Sequence, residues 1–446
     1  MSAEYDKQIR IGICGLGTVG GGTFQLLKEN SEEITRRLGR QIVVSHIASR
    51  TEKPQFQADN IQFSFDVFSV ADDPDIDVLV ESIGGFDPAL ELVLRAIENG
   101  KHVVTANKAL IALHGNEIFA AARLKGVSVS FESAVAGGIP IIKALREGLA
   151  ANSIHWLAGI INGTGNFILT EMAQKNRSFA EVLKEAQSLG YAEADPAFDV
   201  EGIDAAHKLT ILASIAFGIP LQFDKIYTEG IGDITIDDMK FARELGYTIK
   251  HLGVARQTER GIEMRVHPTL ISSKRLIAKV NGVMNAVVVK GNSVGATLYY
   301  GAGAGAKATA SSVVADIIDI ARSALSGNGN NCQPIPSLGF SQMRSDLPIL
   351  DISEIETEYY LRISALDKVG VMAKISSVLQ DFDINIEAVI QKEPEFHGAG
   401  VVPIVLLTDT VIENRINQAI KTIEALDEVS GKVARIRVEE LDGEEI

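Results

Sequence analysis

The segment Gly190-Tyr191-Ala192-Glu193-Ala194-Asp195-Pro196-Ala197-Phe198-Asp199-Val200-Glu201-Gly202-Ile203-Asp204-Ala205-Ala206-His207-Lys208 gathers five acids and one lysine into a short span. Asp204 and Lys208 are four residues apart, hence on one helix face, where an exposed ion pair would contribute only ~0.2–0.5 kcal/mol. The run Leu209–Phe217 that follows carries no charge on any face. Such an element is buried, and charges at its start are costly unless they line a cleft. A carboxylate beside a partly desolvated lysine is also how a proton-transfer group is tuned towards neutral pH. We therefore read Asp204 and Lys208 as proton-transfer machinery rather than a solvated pair. His207 points about 100° away from Lys208 on the helical wheel and reads as a packing or surface residue.

A second motif, Gly15-Leu16-Gly17-Thr18-Val19-Gly20, stands between the apolar run Ile9–Cys14 and an amphipathic stretch. Strand, glycines and helix in that order fit dinucleotide binding: a tight turn, backbone close to a pyrophosphate, and a helix N-terminus offering N–H groups to the anion. The bare pattern could instead be a turn that merely packs. The next strand, Gln41–Ala48, ends in Ser49-Arg50, where an acid would accept from the ribose 2′-hydroxyl of NAD. An arginine there suits a 2′-phosphate, and so NADP, unless Arg50 is only solvated surface. Thr105-Ala106-Asn107-Lys108 follows the short strand His102–Val104 at the carboxyl edge of the sheet. Lys108 there faces either the nicotinamide or a substrate carboxylate, or is a solvated loop lysine. Gly301-Ala302-Gly303-Ala304-Gly305-Ala306 reads as a glycine turn opening the helix 307–325, its small residues letting backbone approach a cofactor.

These residues need a frame. Strand-like runs (Ile9–Cys14, Gln41–Ala48, Asp77–Ser82, His102–Thr105, Val127–Phe131) alternate with helical patterns (Val19–Leu38, Pro88–Asn99, Asn116–Lys125), which predicts a doubly wound parallel sheet over residues 1–150. Residues 151–306 mix longer helices (Phe179–Leu189, Gly202–Phe217) with strands (Ile262–Val266, Ala286–Lys290), an α+β domain. The stretch 326–353, with Ser-Gly-Asn-Gly-Asn-Asn and three prolines, reads as a linker. Residues 354–446 follow a βαββαβ order (Tyr359–Ala365, Gly370–Asp381, Ile384–Gln391, Gly400–Thr408, Ile412–Leu426, Gly431–Val438), the ferredoxin-like split motif, read as a small separate module.

The 446 residues leave room for several domains, and 46% hydrophobic with 22% charged residues is ordinary globular composition. A net charge of −16 repels phosphate backbones and anionic lipid, so neither nucleic acid nor membrane is an expected partner. Cys14 and Cys332 fit neither a disulfide scaffold nor a zinc site. The polar start, without signal-peptide character, predicts a cytoplasmic protein, and the lack of a kinase-like extension a monofunctional one.

The motifs together resemble the homoserine dehydrogenase family, in the form that carries a C-terminal ACT regulatory domain. The resemblance spans nearly the whole chain and rests on Gly15–Gly20, Thr105–Lys108, Asn162-Gly163-Thr164-Gly165-Asn166, the Gly190–Lys208 block, and Gly301–Gly305. It implies an α/β fold with a Rossmann-type nucleotide-binding domain, an α+β catalytic and dimerisation domain and the ACT domain. It implies reversible NAD(P)H-dependent reduction of L-aspartate 4-semialdehyde to L-homoserine, feeding threonine, methionine and isoleucine synthesis. By resemblance, Lys208 donates the proton and Asp204 is its acidic partner. Glu193, Asp199, Asp204 and Lys108 bind the substrate, and Gly15, Leu16, Gly17, Thr18, Val19, Gly20, Arg50, Thr105, Lys108, Gly190 and Gly305 bind the cofactor. A sodium or potassium ion is implied at Glu132 with the backbone carbonyls of Val135, Gly137 and Ile139. The ACT domain implies L-threonine as an amino-acid effector and edge-to-edge pairing in a homodimer or homotetramer. On that reading, deleting residues after Asp351 removes inhibition and spares catalysis. Other readings are an aspartate dehydrogenase-like oxidoreductase and a non-catalytic amino-acid sensor, both disfavoured by the Asp204/Lys208 pair.

Overall fold

The computed structural model describes residues 8–58, 60–325, 335–392 and 400–441, so Cys332 and residues 326–334 of the expected linker lie outside the described residues. Contacts gather the chain into two units, Met1–Leu157 with His207–Asp224 and Met284–Leu347, and Ala158–Ala206 with Lys225–Val283 and Pro348–Ile446.

In the first unit, β1 (Ile9–Cys14), β2 (Ile42–Ala48), β3 (Gln62–Ser64), β4 (Val78–Glu81), β5 (His102–Thr105) and β6 (Val129–Ser130) form a parallel sheet in the order β3-β2-β1-β4-β5-β6. The branched residues Ile11, Ile13, Val78 and Val80 are buried, as a sheet covered on both faces requires. Phe24 and Leu27 of the helix Thr18–Glu29 share their core with Val313, Ile317 and Ile320 of the distant helix Ala306–Leu325. These two helices meet backbone to backbone: a Cβ on Gly22 would lie 2.7 Å from the Ala306 carbonyl.

Three local expectations are corrected. Val19–Leu38 is two helices, Thr18–Glu29 and Ser31–Leu38, because Asn30 (φ −108°, ψ 18°) leaves helical geometry, as asparagine readily does. The helix expected from Asn116 begins at Lys108, where the Asn107 side chain accepts the Leu110 N–H at 3.1 Å and caps it. Gly301 and Ala302, read as turn, end the strand Gly295–Ala302.

The C-terminal βαββαβ order is present, with Glu356–Leu366 between Ala434–Val438 and Val401–Thr408, and Ile386–Gln391 at the edge. It is not a separate module. Ala434–Val438 also pairs in parallel with Ile262–Ser272 (Thr269 opposite Arg437, Leu270 opposite Val438), joining the two sheets within the second unit. One face of the sheet, with Tyr359, Leu361 and Ile363, packs on the module's own helices. The other, with Tyr360, Val405, Leu407, Ile436 and Val438, shares a core with Ile168, Leu169 and Met172 of the helix Gly163–Lys175. Polar groups reinforce the junction: the Arg362 guanidinium donates to Asp238 at 2.7 Å, and Arg265 is fully buried between Glu263 and Glu439.

Candidate active site

The glycine motif is built as its spacing demands. Gly15 (φ +92°) follows β1, and a Cβ there would lie 2.7 Å from the Ser82 carbonyl; on Gly20 it would lie 1.9 Å from the Gly15 carbonyl. Ser82, next after β4, donates to the Gly15 carbonyl at 2.7 Å and pins the turn. Gly17 is different: nothing lies within 4 Å of its would-be Cβ, and it opens the helix Thr18–Glu29 with no side-chain cap. Leu16 is buried, whereas Gly17 and Thr18 are exposed. Open space over an uncapped helix N-terminus, where the strand order reverses between β1 and β4, is what a pyrophosphate needs. Arg50, beyond the end of β2, is exposed.

At the ends of β4 and β5, the buried Glu81 accepts the N–H groups of Ile83 (2.8 Å) and Gly84 (3.2 Å) and the Thr105 hydroxyl. Asn107 donates to the Gly85 carbonyl at 2.6 Å, and its own N–H donates to Thr105 at 3.0 Å. Thr105 is thus a structural clasp between two strand ends, and it places Lys108, half-buried, on the first turn of its helix. Gly305 (φ +114°), exposed with nothing near its would-be Cβ, precedes the helix Ala306–Leu325.

In the second unit, Asn162 organises the acids. Its Oδ1 accepts the Gly165 N–H at 2.7 Å and caps the helix Gly163–Lys175, while its Nδ2 donates to Asp199 at 2.7 Å and to Asp204 at 2.8 Å. Asp204 is buried and Asp199 half-buried, whereas Glu193 and Gly190 (φ +74°) are exposed. Thr164 donates to the Tyr191 carbonyl at 2.7 Å, so the 162–166 turn also holds the start of the acid block. Lys208, already in the first unit with His207, follows Asp204 by one turn along the helix Ile203–Phe217 and is 9% exposed. His207 stacks on Phe223 with centroids 4.3 Å apart.

The loop after β6 carries a further buried acid. Glu132 accepts the N–H groups of Ile142 and Lys143, each at 2.8 Å, and Asp316 accepts the Glu132 N–H at 2.8 Å. Burial pushes Glu132 up to about 7, and burial with the nearby Glu132 pushes Asp316 well above the carboxylate range. Val135, Gly137 and Ile139 are buried, and Gly137 (φ +41°) lies so close to the Gly303 carbonyl that a Cβ would sit 2.5 Å from it. Among the described residues no group of three or more His, Cys, Asp or Glu is placed to hold a metal. The Gly137 carbonyl accepts the Ser312 hydroxyl at 2.7 Å; a carboxyl with backbone carbonyl oxygens is the kind of donor set a hard cation takes.

Comparison with known proteins resolves what this combination is. Residues 15–132 match the model of the homoserine dehydrogenase NAD binding domain, 140–318 that of homoserine dehydrogenase and 359–428 that of the ACT domain. A homoserine dehydrogenase of Pseudomonas aeruginosa is 64% identical over 437 residues, covering 98% of this chain and 100% of the relative. The chain belongs to the homoserine dehydrogenase family. A crystal structure of a homoserine dehydrogenase from Thiobacillus denitrificans superposes with TM-score 0.92 at 58% identity, covering 98% of this chain and 99% of that one. A hyperthermophilic archaeal homoserine dehydrogenase in complex with NADPH matches with TM-score 0.62 at 28% identity over 76% of this chain and 100% of its own. This family member is therefore an oxidoreductase with a nicotinamide-nucleotide domain. None of its described helices is long and apolar enough to cross a membrane.

Beyond the expected residues, Asn162 bridges two of the acids and Lys250 holds the turn that carries it. The buried Lys250 ammonium donates to Asn166 Oδ1 (3.1 Å), Asn281 Oδ1 (3.2 Å) and the Val280 carbonyl, holding the far end of the 162–166 turn. Burial lowers it from 10.5 to about 8. A cation whose folded value is depressed destabilises the fold fully below about 8 and progressively less as pH rises towards 10.5. The stability of the native protein relative to Lys250→Met should therefore rise between about pH 8 and 10, read as urea midpoints; a difference flat with pH would contradict it.

Proposed function

We propose that the chain catalyses the reversible NAD(P)H-dependent reduction of L-aspartate 4-semialdehyde to L-homoserine, in threonine, methionine and isoleucine synthesis. The observation that carries this reading is the buried turn with Asp204 and Lys208, its acid fixed by Asn162. Bound reduced nicotinamide supplies the hydride. As the carbonyl carbon accepts it, charge develops on the oxygen, which the Lys208 ammonium stabilises and protonates, leaving a neutral amine; in the reverse direction that amine takes the hydroxyl proton. Asp204 lies one turn away as the acidic partner. Asp199, Asp204 and Glu193 supply negative charge for the substrate's α-ammonium, and Lys108 answers its carboxylate or the cofactor. Gly190 and Gly305, left-handed and without crowding neighbours, leave room for cofactor.

The cofactor is NADP in preference to NAD, through Arg50. Arg50→Ala should raise KM for NADPH by roughly ten- to a hundredfold, the loss of a charge-assisted hydrogen bond of roughly 1.5–3 kcal/mol, with little change for NADH. Equal effects on both nucleotides would contradict the assignment. Sodium or potassium is held by Glu132 with the carbonyls of Val135, Gly137 and Ile139. The ACT domain takes L-threonine as effector, the assembly is a homodimer or homotetramer, and the enzyme works in the cytoplasm. The reaction is tested by NADPH oxidation with aspartate semialdehyde, against oxaloacetate plus ammonia and against no substrate. Oxidation with the semialdehyde alone supports it, and oxidation only with oxaloacetate and ammonia rejects it.

A further inference from the structure

Glu229 lies outside the acid block and every sequence motif, yet its two ends touch two different parts of the second unit. Its carboxylate Oε2 accepts from Arg437 Nη1 at 2.8 Å, Arg435 Nη2 at 3.2 Å and the Tyr227 hydroxyl at 2.7 Å. Both arginines stand on Ala434–Val438, the last strand of the C-terminal module. They also converge on Glu413, the first residue of the module helix Glu413–Glu424: Arg437 Nε at 2.7 Å and Arg435 Nη1 at 3.0 Å, with the Tyr359 hydroxyl at 3.0 Å. Arg437 and Glu413 are buried, so this ion cluster holds a strict geometry at low dielectric.

The backbone of Glu229 faces the other way. Its carbonyl accepts from His251 Nε2 at 2.9 Å, and a Cβ on Gly202 would lie 3.0 Å from the same imidazole. The Ile231 N–H donates to the Val200 carbonyl at 2.9 Å, and a Cβ on Gly230 would lie 2.8 Å from that oxygen. Residues 229–231 therefore clamp Val200–Gly202, the stretch between the two acids that Asn162 bridges.

We propose that Glu229 is a positioning residue through which the C-terminal module acts on the substrate acids. A shift of the last strand moves Arg435 and Arg437, the carboxylate follows, and residues 229–231 carry the shift to the Asp199–Asp204 segment. Buried ion clusters and packed cores favour discrete arrangements over continuous deformation, so a small change at the module is passed on as a switch. The regulatory half of this inference rests on the proposed amino-acid effector; the positioning half rests on the contacts alone.

Glu229→Gln keeps the side-chain length and removes the charge on which two guanidinium groups converge. In homoserine oxidation by the full chain, its KM for homoserine should rise at least about fivefold while KM for NADP stays within about twofold, with recovery in Glu229→Asp. L-Threonine, used as the probe, should still bind the variant by calorimetry but no longer change its KM for homoserine. An unchanged homoserine KM, or equal rises for both substrates, would overturn the proposal. Should threonine neither bind nor inhibit the native protein, the effector reading falls and the KM split alone decides the positioning role. If Glu229→Gln does not fold, Arg435→Gln, which leaves Arg437 in place, should show the same split at smaller amplitude, and no split there would overturn the proposal equally.

Discussion

Lys208→Ala is expected to lower turnover by about 10²–10⁴-fold, the usual contribution of a positioned general acid, while NADPH binding stays near native. The asymmetry follows from where the residue sits. Lys208 stands just ahead of the charge-free run Leu209–Phe217 in the helix Ile203–Phe217, whereas the glycine turn after β1 is completed by Ser82 and by close contacts among Gly15, Gly20 and Ser82. Removing the amine takes away a proton source, while the turn keeps Gly15, Gly20 and Ser82. Turnover and a fluorescence titration with NADPH separate the two effects. Lys208→Met, closer in length, should be equally inactive, so a packing defect is distinguished from loss of the amine. Native turnover in either variant would contradict the assignment.

Deleting the residues after Asp351 should unfold the second unit rather than release an unregulated enzyme. The truncation strips five buried side chains, Tyr360, Val405, Leu407, Ile436 and Val438, from a core shared with Ile168, Leu169 and Met172. At about 1.5–3 kcal/mol each, the loss is of order 7–15 kcal/mol, comparable with the whole stability of a domain. It also leaves Arg265 buried without Glu439 and Asp238 without Arg362, and breaking a buried pair costs about 3–5 kcal/mol. Circular dichroism and sedimentation of the truncated chain check this: an expanded or aggregated product is expected, and a folded, fully active one would contradict it. Regulation therefore has to be dissected with point variants.

The nucleotide-binding half was legible because its signals are local. Strand, Gly15–Gly20 and helix follow one another within a few residues, and the structure gives Gly15 and Gly20 a steric reason while Gly17 borders open space. Lys208 and Asp204 were legible because a charge-free helical run makes charges at its start conspicuous. Asn162 was visible only as a letter in a motif, since it acts on Asp199 and Asp204, 37 and 42 residues further on. Lys250 and Glu229 carried no local signal at all; their roles exist only once distant strands are side by side. The joined core did leave a trace. Val401–Thr408 is an almost unbroken apolar run, the mark of a strand buried on both faces, whereas a free-standing module would alternate with polar residues. The helix beginning at Lys108 was missed because its cap, Asn107, sits inside the motif read for its chemistry.

The central claim is that the Lys208 amine meets the oxygen of a short aldehyde as hydride arrives. A crystal structure of the protein with NADP and L-homoserine measures it directly. The account predicts the Lys208 nitrogen within about 2.6–3.2 Å of the homoserine side-chain hydroxyl, the reach of a proton transfer. A nitrogen turned away from that hydroxyl, with another acid occupying hydrogen-bonding distance, would contradict it.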